Sequence, residues 1–164
     1  MDKLKIEILL DVYHDIQDLS TSDNELLQSA RSITAIAYAP YSHFLVGAVA
    51  LLKNGEIVKG TNQENASYPV GLCAERALLA AASNLFPEIP IVAMAITYHN
   101  LNGMSNKPVS PCGMCRQALS EFENRTNQDI KLILSGMEGS VYIVEKSSDL
   151  LPLSFGKKDL HNKL

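Results

Sequence analysis

The chain has 164 residues, of which 46% are hydrophobic and 20% charged, the composition of an ordinary soluble globular protein. This length suits one domain that buries a substantial core without disulfide or metal staples. The formal charge of −4 and the lack of Lys- or Arg-rich runs argue against a nucleic-acid partner, and no apolar run approaches membrane length.

The N-terminal segment alternates between polar and apolar residues. Four apolar side chains recur at every second position: Ile6, Ile8, Leu10 and Val12. This period of two favours a strand over 5–13 with one buried face, although Leu9 interrupts the pattern and leaves a helix as the rival interpretation. His14 is interpreted as a surface residue at the end of this element. We expect a single domain over 1–164, in which residues 1–21 form an N-terminal extension that adds a strand.

A helix followed by a β-hairpin is predicted next. Ser22 and Glu25 have the spacing of a capping box, and apolar residues continue at helical spacing until Pro40 ends the helix. An apolar run over 46–52 then predicts a buried strand. The Asn-Gly pair at 54–55 reverses the chain, because this dipeptide is a strong short-range hairpin signal.

The second half of the chain alternates helices with strands. A polar loop over 60–71 comes first and is the kind of irregular segment that carries binding groups. The predicted elements that follow are a helix at 73–85, a strand at 91–97, a helix at 111–122, and strands at 131–134 and 141–144. This alternation predicts an α/β fold in which at least part of the sheet is parallel and is covered by helices.

All three cysteines lie at the predicted N-termini of helices: Cys73, Cys112 and Cys115. Unpaired backbone N–H groups and the helix dipole favour thiolates at such positions. A catalytic zinc site with three protein ligands keeps its fourth position for water, whereas a structural site usually fills all four. We therefore predict one Zn²⁺ per chain in an open site. The odd number of cysteines also argues for a reducing compartment, and we expect a cytoplasmic protein.

Two charged residues follow the first cysteine. Glu75 lies two positions after Cys73, on a different side of the first helical turn, so we expect it to move protons rather than to bind the metal. Three thiolates and one Zn²⁺ leave a net negative charge that opposes ionisation of a bound water. Arg76 is placed to offset this charge.

These motifs together resemble those of a known family. Cys73 and Glu75, followed by Cys112 and Cys115, reproduce the three-cysteine form of the zinc-deaminase signature. Three further stretches, at 37–48, 60–69 and 150–159, resemble the corresponding segments of the small, zinc-dependent, homotetrameric cytidine deaminases. The resemblance extends from about residue 26 to residue 160.

The resemblance implies a fold, an assembly and a set of roles. The fold would be a three-layer α-β-α sandwich with a mixed central sheet of about five strands, and the assembly a homotetramer with shared active sites. The implied substrate-binding residues are Asn62 and Glu64 for the ribose hydroxyls, Phe44 for the pyrimidine ring, the Ala74 carbonyl for the amino side of the base, and Phe155, which would close the pocket of a neighbouring subunit. Ala66 and Tyr68 would lie near a subunit contact.

The implied reaction is the zinc-dependent hydrolytic deamination of cytidine and deoxycytidine to uridine and deoxyuridine plus ammonia, a step of pyrimidine salvage. One alternative is a deaminase of a modified cytosine nucleoside or nucleoside antibiotic. Another is a non-catalytic zinc module, which needs a fourth protein ligand. The candidates for that ligand are His14, His43, His99 and His161, and none has ligand spacing to the cysteines.

Overall fold

A computed structural model describes residues 1–160 of the chain. The strands are β1 (Asp11–Tyr13), β2 (Phe44–Leu52), β3 (Ile57–Thr61), β4 (Ile91–Asn100), β5 (Lys131–Ser135) and β6 (Val141–Val144). The helices are α1 (Thr21–Ile33), α2 (Ala74–Leu85), α3 (Gly113–Thr126) and the four-residue α4 (Lys157–Leu160). His161, one of the candidate metal ligands, lies outside the described residues.

The six strands form one mixed sheet in the order β1-β6-β5-β4-β2-β3. β4 and β5 are parallel, and the other neighbours are antiparallel. The predicted α/β fold with a mixed sheet is therefore confirmed, with six strands instead of about five. α2 and α3 lie between the strands in sequence order, as the alternating pattern indicated.

Two apolar cores, one on each face of the sheet, complete the three layers. On one face α1 packs through Leu27 and Ala30 against strand residues that include Ile133. On the other face Leu78 of α2 and Leu119 of α3 belong to a second buried cluster with apolar residues of the strands. The side chains of β2, β4, β5 and β6 alternate between these two cores, which is why these strands read as nearly continuous apolar runs.

Glycine at position 60 sets the distance between α2 and the sheet. A Cβ atom there would lie 2.5 Å from the carbonyl oxygen of Ala74 and 2.6 Å from the backbone nitrogen of Leu78. Only a residue without a side chain allows this approach. Gly60 thereby positions the first turn of α2, which carries Glu75, directly against β3.

The hairpin between β2 and β3 forms as predicted. Gly55 in its turn has a φ of +88°, which glycine adopts without strain. The start of α1 differs from the prediction, because Ser20 rather than Ser22 is the N-cap. The Ser20 hydroxyl oxygen accepts a hydrogen bond from the backbone N–H of Asp23 at 3.2 Å, so the helix begins two residues before the predicted box.

The N-terminal strand is shorter than predicted, and the expectation of a buried face is wrong. β1 contains three residues, which pair antiparallel with β6 at the edge of the sheet. β6 itself has only four residues, so the preceding part of the chain has no neighbouring strand to pair with. Its alternate apolar residues are consequently exposed, Ile6 by 49% and Ile8 by 42%.

None of the helices within residues 1–160 combines the length and the apolar character that crossing a membrane requires.

Candidate active site

The three cysteine sulfurs converge at the N-terminal ends of α2 and α3. Cys73 is the N-cap of α2, Cys112 is the N-cap of α3, and Cys115 is buried in the first turn of α3. Their Sγ atoms all lie within 4.8 Å of one another. The separation is 3.8 Å between Cys73 and Cys112 and 3.4 Å between Cys112 and Cys115.

These separations fit a zinc ion. A tetrahedral centre with Zn–S bonds of about 2.3 Å requires sulfurs about 3.8 Å apart. We compared the positions of the His, Cys, Asp and Glu side chains in the described residues. These three cysteines are the group whose ligand atoms lie close enough together to share one ion. Neither His14, His43 nor His99 joins it. The donor set therefore favours an open, three-ligand site over a closed structural one.

The thiols influence one another's protonation. The hydrogen bond with Cys115 lowers the pKa of Cys73 to about 6, and burial and the charge of Glu75 act against this shift. The positive charge of Arg76 also lowers the pKa of Cys73. The same hydrogen bond, together with burial, raises the pKa of Cys115. The cluster thus releases its first proton readily, which favours metal binding because thiolates are the ligands.

Glu75 lies in the first turn of α2 and is only 5% exposed. Burial raises the pKa of its carboxyl group, although a backbone hydrogen bond and one with Cys115 partly oppose the shift. A carboxyl group with a raised pKa takes up a proton more readily than an exposed glutamate, which suits a residue that accepts and returns protons. The chemistry available at this end of the sheet is therefore proton transfer beside a thiolate-bound cation.

A cavity of about 420 Å³ opens onto the cysteine cluster. It brings together predicted residues from three separate parts of the chain: Phe44, Asn62, Glu64, Tyr68, Cys73, Ala74, Glu75 and Cys112. Arg76, Ala66 and Phe155 do not line it. The residues that line the cavity include two carboxylates and neither Lys nor Arg.

Asn62 and Phe44 form one wall of this cavity. The amide of Asn62 bridges the start of β2, since Nδ2 donates to the Phe44 carbonyl at 2.9 Å and Oδ1 accepts from the Val46 N–H at 2.8 Å. The ring of Phe44 stacks on Tyr98, with centroids 4.6 Å apart and an interplanar angle of 9°. Asn62 therefore holds the strand end that presents Phe44.

Glu64 holds the turn before β2. Its Oε2 accepts hydrogen bonds from the backbone N–H groups of Tyr41 at 2.9 Å and Ser42 at 3.2 Å. Desolvation opposes ionisation of this carboxylate, but these bonds and one with the Ser42 hydroxyl outweigh it, so the pKa of Glu64 lies below its ordinary value. Glu64 is thus a carboxylate at the cavity wall.

The residues predicted to lie near subunit contacts are on the surface. Phe155 is 60% exposed, and its backbone carbonyl accepts a hydrogen bond from Gln117 Nε2 at 2.9 Å. Tyr68 is 76% exposed and its ring meets Tyr41 edge to face, with centroids 5.9 Å apart. Ala66 is also exposed.

Sequence reasoning missed several residues of the site. Val109, Ser110 and Met114 line the cavity beside the cysteine motif, but no periodicity or motif singles out the first two. Arg116 fixes the loop that carries Cys112. Its Nε donates to the Pro111 carbonyl at 2.8 Å, and its Nη1 donates to the Leu150 carbonyl at 2.9 Å. A charged residue directly after a cysteine motif was the available signal for Arg116.

A three-layer α/β fold with an open Cys₃ site and a buried carboxylate is the architecture of a zinc-dependent hydrolytic enzyme. The family model for the cytidine and deoxycytidylate deaminase zinc-binding region matches residues 20–128. The chain belongs to this family.

Individual relatives agree with the family match. A cytidine deaminase from Halalkalibacterium halodurans is 36% identical over 137 residues, which cover 84% of this chain and 96% of that protein. One from Mycobacterium tuberculosis H37Rv is 34% identical over 143 residues, covering 84% of this chain and 92% of that protein. The crystal structure of cytidine deaminase from Burkholderia pseudomallei superposes with a TM-score of 0.70 at 33% identity, and covers 84% of this chain and 100% of that one.

Proposed function

We propose that this protein catalyses the zinc-dependent hydrolytic deamination of cytidine and deoxycytidine to uridine and deoxyuridine, with release of ammonia, as a step of pyrimidine salvage. The observation that carries this proposal is the position of Glu75, which is buried beside the three-cysteine cluster and lines the same cavity as Phe44, Asn62 and Glu64. Membership of the deaminase family supports the reaction class.

Glu75 is the residue to which we assign proton transfer. A zinc ion bound by Cys73, Cys112 and Cys115 would lower the pKa of a coordinated water from about 15.7 to about 7. Glu75 would accept one proton as the attacking water bonds to C4 and deliver it to the ring nitrogen, and would then accept the second proton from the new C4 hydroxyl and deliver it to the amino group, which leaves as ammonia. One carboxylate can serve both directions because burial raises its pKa, so that it takes up a proton more readily than an exposed carboxylate does.

The cavity wall supports a nucleoside as the substrate. Phe44 would lie against the pyrimidine ring, and the Ala74 carbonyl would accept a hydrogen bond from the amino group of the base. Both backbone hydrogen bonds of Glu64 use Oε2, so no backbone group occupies Oε1, which can accept from a ribose hydroxyl. Asn62 has one N–H and one lone pair beyond its bonds to β2, and these can meet the sugar.

The charge of the cavity favours nucleosides over nucleotides. Among its lining residues in the described part of the chain, Glu64 and Glu75 are acidic and none is Lys or Arg. A 5′-phosphate would meet negative groups with no cation to balance it, and like charges in a partly desolvated cavity repel strongly. Cytidine 5′-monophosphate should therefore be a poor substrate.

The assembly that we propose is a homotetramer in the cytoplasm. Phe155 is exposed and does not line the cavity of its own chain, which supports its assignment to the pocket of a neighbouring subunit. Ala66 and Tyr68, both exposed, would lie near that contact. Arg76 would stabilise the zinc-bound thiolates. Three free cysteines that serve as metal ligands suit a reducing compartment.

The decisive experiment follows the loss of cytidine absorbance for the purified protein and for Glu75→Gln, with bound zinc measured in both. We expect kcat/KM to fall by about 10² to 10⁴ in Glu75→Gln with zinc retained. Glu121→Gln removes a carboxylate from an exposed helix position and should leave activity unchanged. A zinc-loaded wild-type protein that is inert on both nucleosides would disprove the substrate assignment, and full activity of Glu75→Gln would disprove the assignment of proton transfer.

Three further measurements address the pocket and the assembly. Cytidine 5′-monophosphate is assayed beside cytidine, and equal kcat/KM values would contradict the charge argument. Phe155→Ala should raise KM while zinc content stays constant, and sedimentation shows whether the active species is a tetramer. A fully active isolated monomer would contradict the shared site.

A further inference from the structure

The first ten residues form an apolar arm, defined here as residues 1–10. Within the described residues this arm has no helix or strand of its own. Its alternate apolar side chains lie outside both buried clusters and are exposed to different degrees, Leu4 by 83%, Ile6 by 49%, Ile8 by 42% and Leu10 by 41%. The deaminase family model begins only at residue 20, so the arm is a feature of this chain beyond the catalytic family core. A contiguous exposed apolar row of this kind marks an interaction site.

Residues 1–10 contain no helix and lead directly into an edge strand. Lys5 Nζ and the Glu7 carboxylate form an ion pair, which the i, i+2 spacing allows because both side chains lie on one face of an extended chain. β1, which follows, pairs only with β6 and ends the sheet. Half of the backbone N–H and C=O groups of an edge strand point away from its neighbour and are free to pair with another strand.

The two faces of the arm follow from β1. Tyr13 packs on the core beneath α1, whereas Val12 is the cross-strand partner of Tyr142, which packs on the opposite core. Continued toward the N-terminus, the face of Val12 carries the apolar residues at positions 10, 8, 6 and 4, and the face of Tyr13 carries Asp11 and most of the charges.

The arm is complementary to a second copy of itself. In an antiparallel pair with Ile8 on the two-fold axis, Ile8 faces Ile8, Ile6 faces Leu10, and Leu4 faces Val12. On the other face Lys5 lies opposite Asp11, and the symmetry creates this ion pair twice. Moving the axis to Glu7 would instead place two Glu7 carboxylates opposite each other, which is unfavourable. A register centred on Ile6 would also pair opposite charges, Lys5 with Glu7, but it leaves Leu10 and Val12 without apolar partners. Side-chain pairing therefore favours the register centred on Ile8.

We propose that the arms of two copies of this chain pair antiparallel about Ile8, so that β1 extends through residues 3–13 and joins the edges of two six-stranded sheets. The contact is isologous, because each copy supplies the same strand. It hydrogen-bonds the free edge of β1 and brings the exposed apolar row into contact with its equivalent. This proposal does not rest on the deaminase activity, since the arm does not line the cavity.

Disulfide crosslinking of the zinc-loaded full chain tests the proposal. Directly opposed residues of antiparallel strands have Cα atoms about 4.5–5.5 Å apart, which suits a disulfide. Ile8→Cys should therefore give a covalent dimer under mild oxidation. Leu4→Cys is the matched control, because Leu4 lies eight residues, or about 26 Å, from its equivalent in this register. The double variant Leu4→Cys with Val12→Cys should crosslink again. The unsubstituted chain measures the background from the native cysteines.

Charge reversal tests the register independently. In the Ile8→Cys background, Lys5→Glu places like charges opposite each other twice and should slow crosslinking about tenfold. Adding Asp11→Lys reverses both members of the pair and should restore the original rate. Equal crosslinking of Ile8→Cys and Leu4→Cys, no crosslinking of either, or failure of the second reversal to restore the rate would each overturn the proposal.

Discussion

Glu123 is a buried carboxylate on α3 that no sequence motif marks. It is 5% exposed, and it accepts four hydrogen bonds. Oε1 accepts from the backbone N–H of Ile130 at 2.8 Å and from the backbone N–H and the hydroxyl of Ser147 at 3.0 and 2.8 Å. Oε2 accepts from the Ser148 N–H at 3.1 Å. The carboxylate therefore ties α3 to the segments on either side of β5 and β6.

Glu123→Ala should lower the free energy of unfolding, because it removes the acceptor of several buried N–H and O–H donors. Ile130 and Ser147 are both fully buried, and an unpaired buried N–H costs about 1–3 kcal/mol. A polar cavity next to Glu123 admits water to the less buried Ser148 side. Water can hydrogen-bond to the donor there, which reduces the total loss of stability. We expect a loss of about 3 kcal/mol in the free energy of unfolding, equivalent to about 6–12 °C in a domain of this size. Glu123→Gln keeps an acceptor at Oε1 and should lose about 1–2 kcal/mol.

Urea unfolding at fixed protein and zinc concentrations measures these losses. Glu121→Ala is the matched control, since it removes the same charge from an exposed position of the same helix and should change stability by less than about 0.5 kcal/mol. If Glu123→Ala were as stable as Glu121→Ala, the hydrogen bonds of this carboxylate would contribute nothing, and the reasoning would fail.

Three further predictions concern the metal site and its supports. Gly60→Ala should push α2 away from β3, lower the free energy of unfolding by about 1–3 kcal/mol and weaken zinc binding. Gly113→Ala is the control and should have none of these effects, because a Cβ there meets no atom within 4 Å. Equal zinc affinities in the two variants would contradict this prediction. Removing zinc with a chelator should abolish activity. It should also lower the free energy of unfolding by about 4 kcal/mol, compared with protein in which free zinc is at a thousandfold excess over its Kd. Unchanged thermal unfolding would count against a zinc-stabilised fold. Arg116→Ala removes two hydrogen bonds to backbone carbonyls, each worth about 0.5–1.5 kcal/mol. Gln117→Ala is the control, because it removes one exposed hydrogen bond. The zinc-loaded Arg116→Ala protein should unfold at a lower urea concentration than zinc-loaded Gln117→Ala.

The sequence was most informative where a local pattern determines the structure. The Asn-Gly turn predicted the hairpin of β2 and β3, and the strand at 141–144 has the predicted bounds. The cysteine spacing predicted the group of three metal ligands, because helix N-termini impose both position and thiolate character. In each case the relevant contacts join residues that are close in sequence or recur in a known motif.

Other features depend on partners that are distant in sequence. The four donors to Glu123 come from positions 7 to 25 residues later, so the local pattern around it predicts an ordinary helix residue. The polarity of Asn62 indicated a binding residue but not that its amide holds β2. The alternation at the N-terminus is compatible with a strand, but the length of strand that forms depends on the four residues of β6.

The way α2 and α3 begin links the metal to the stability of the fold. In the described structure neither Cys73 nor Cys112 makes a side-chain capping hydrogen bond, although both occupy N-cap positions. Ser, Thr, Asp or Asn at such positions would typically contribute about 1 kcal/mol per helix. A thiolate is a weaker cap, but its negative charge interacts favourably with the helix dipole, and zinc favours the thiolate form. Metal binding should therefore stabilise both helix N-termini at once and hold Glu75 in place. Zinc loss should accordingly release hydrogen-exchange protection at the first hydrogen-bonded amides of α2 and α3, those of Ala77 and Arg116, before it affects β4 and β5.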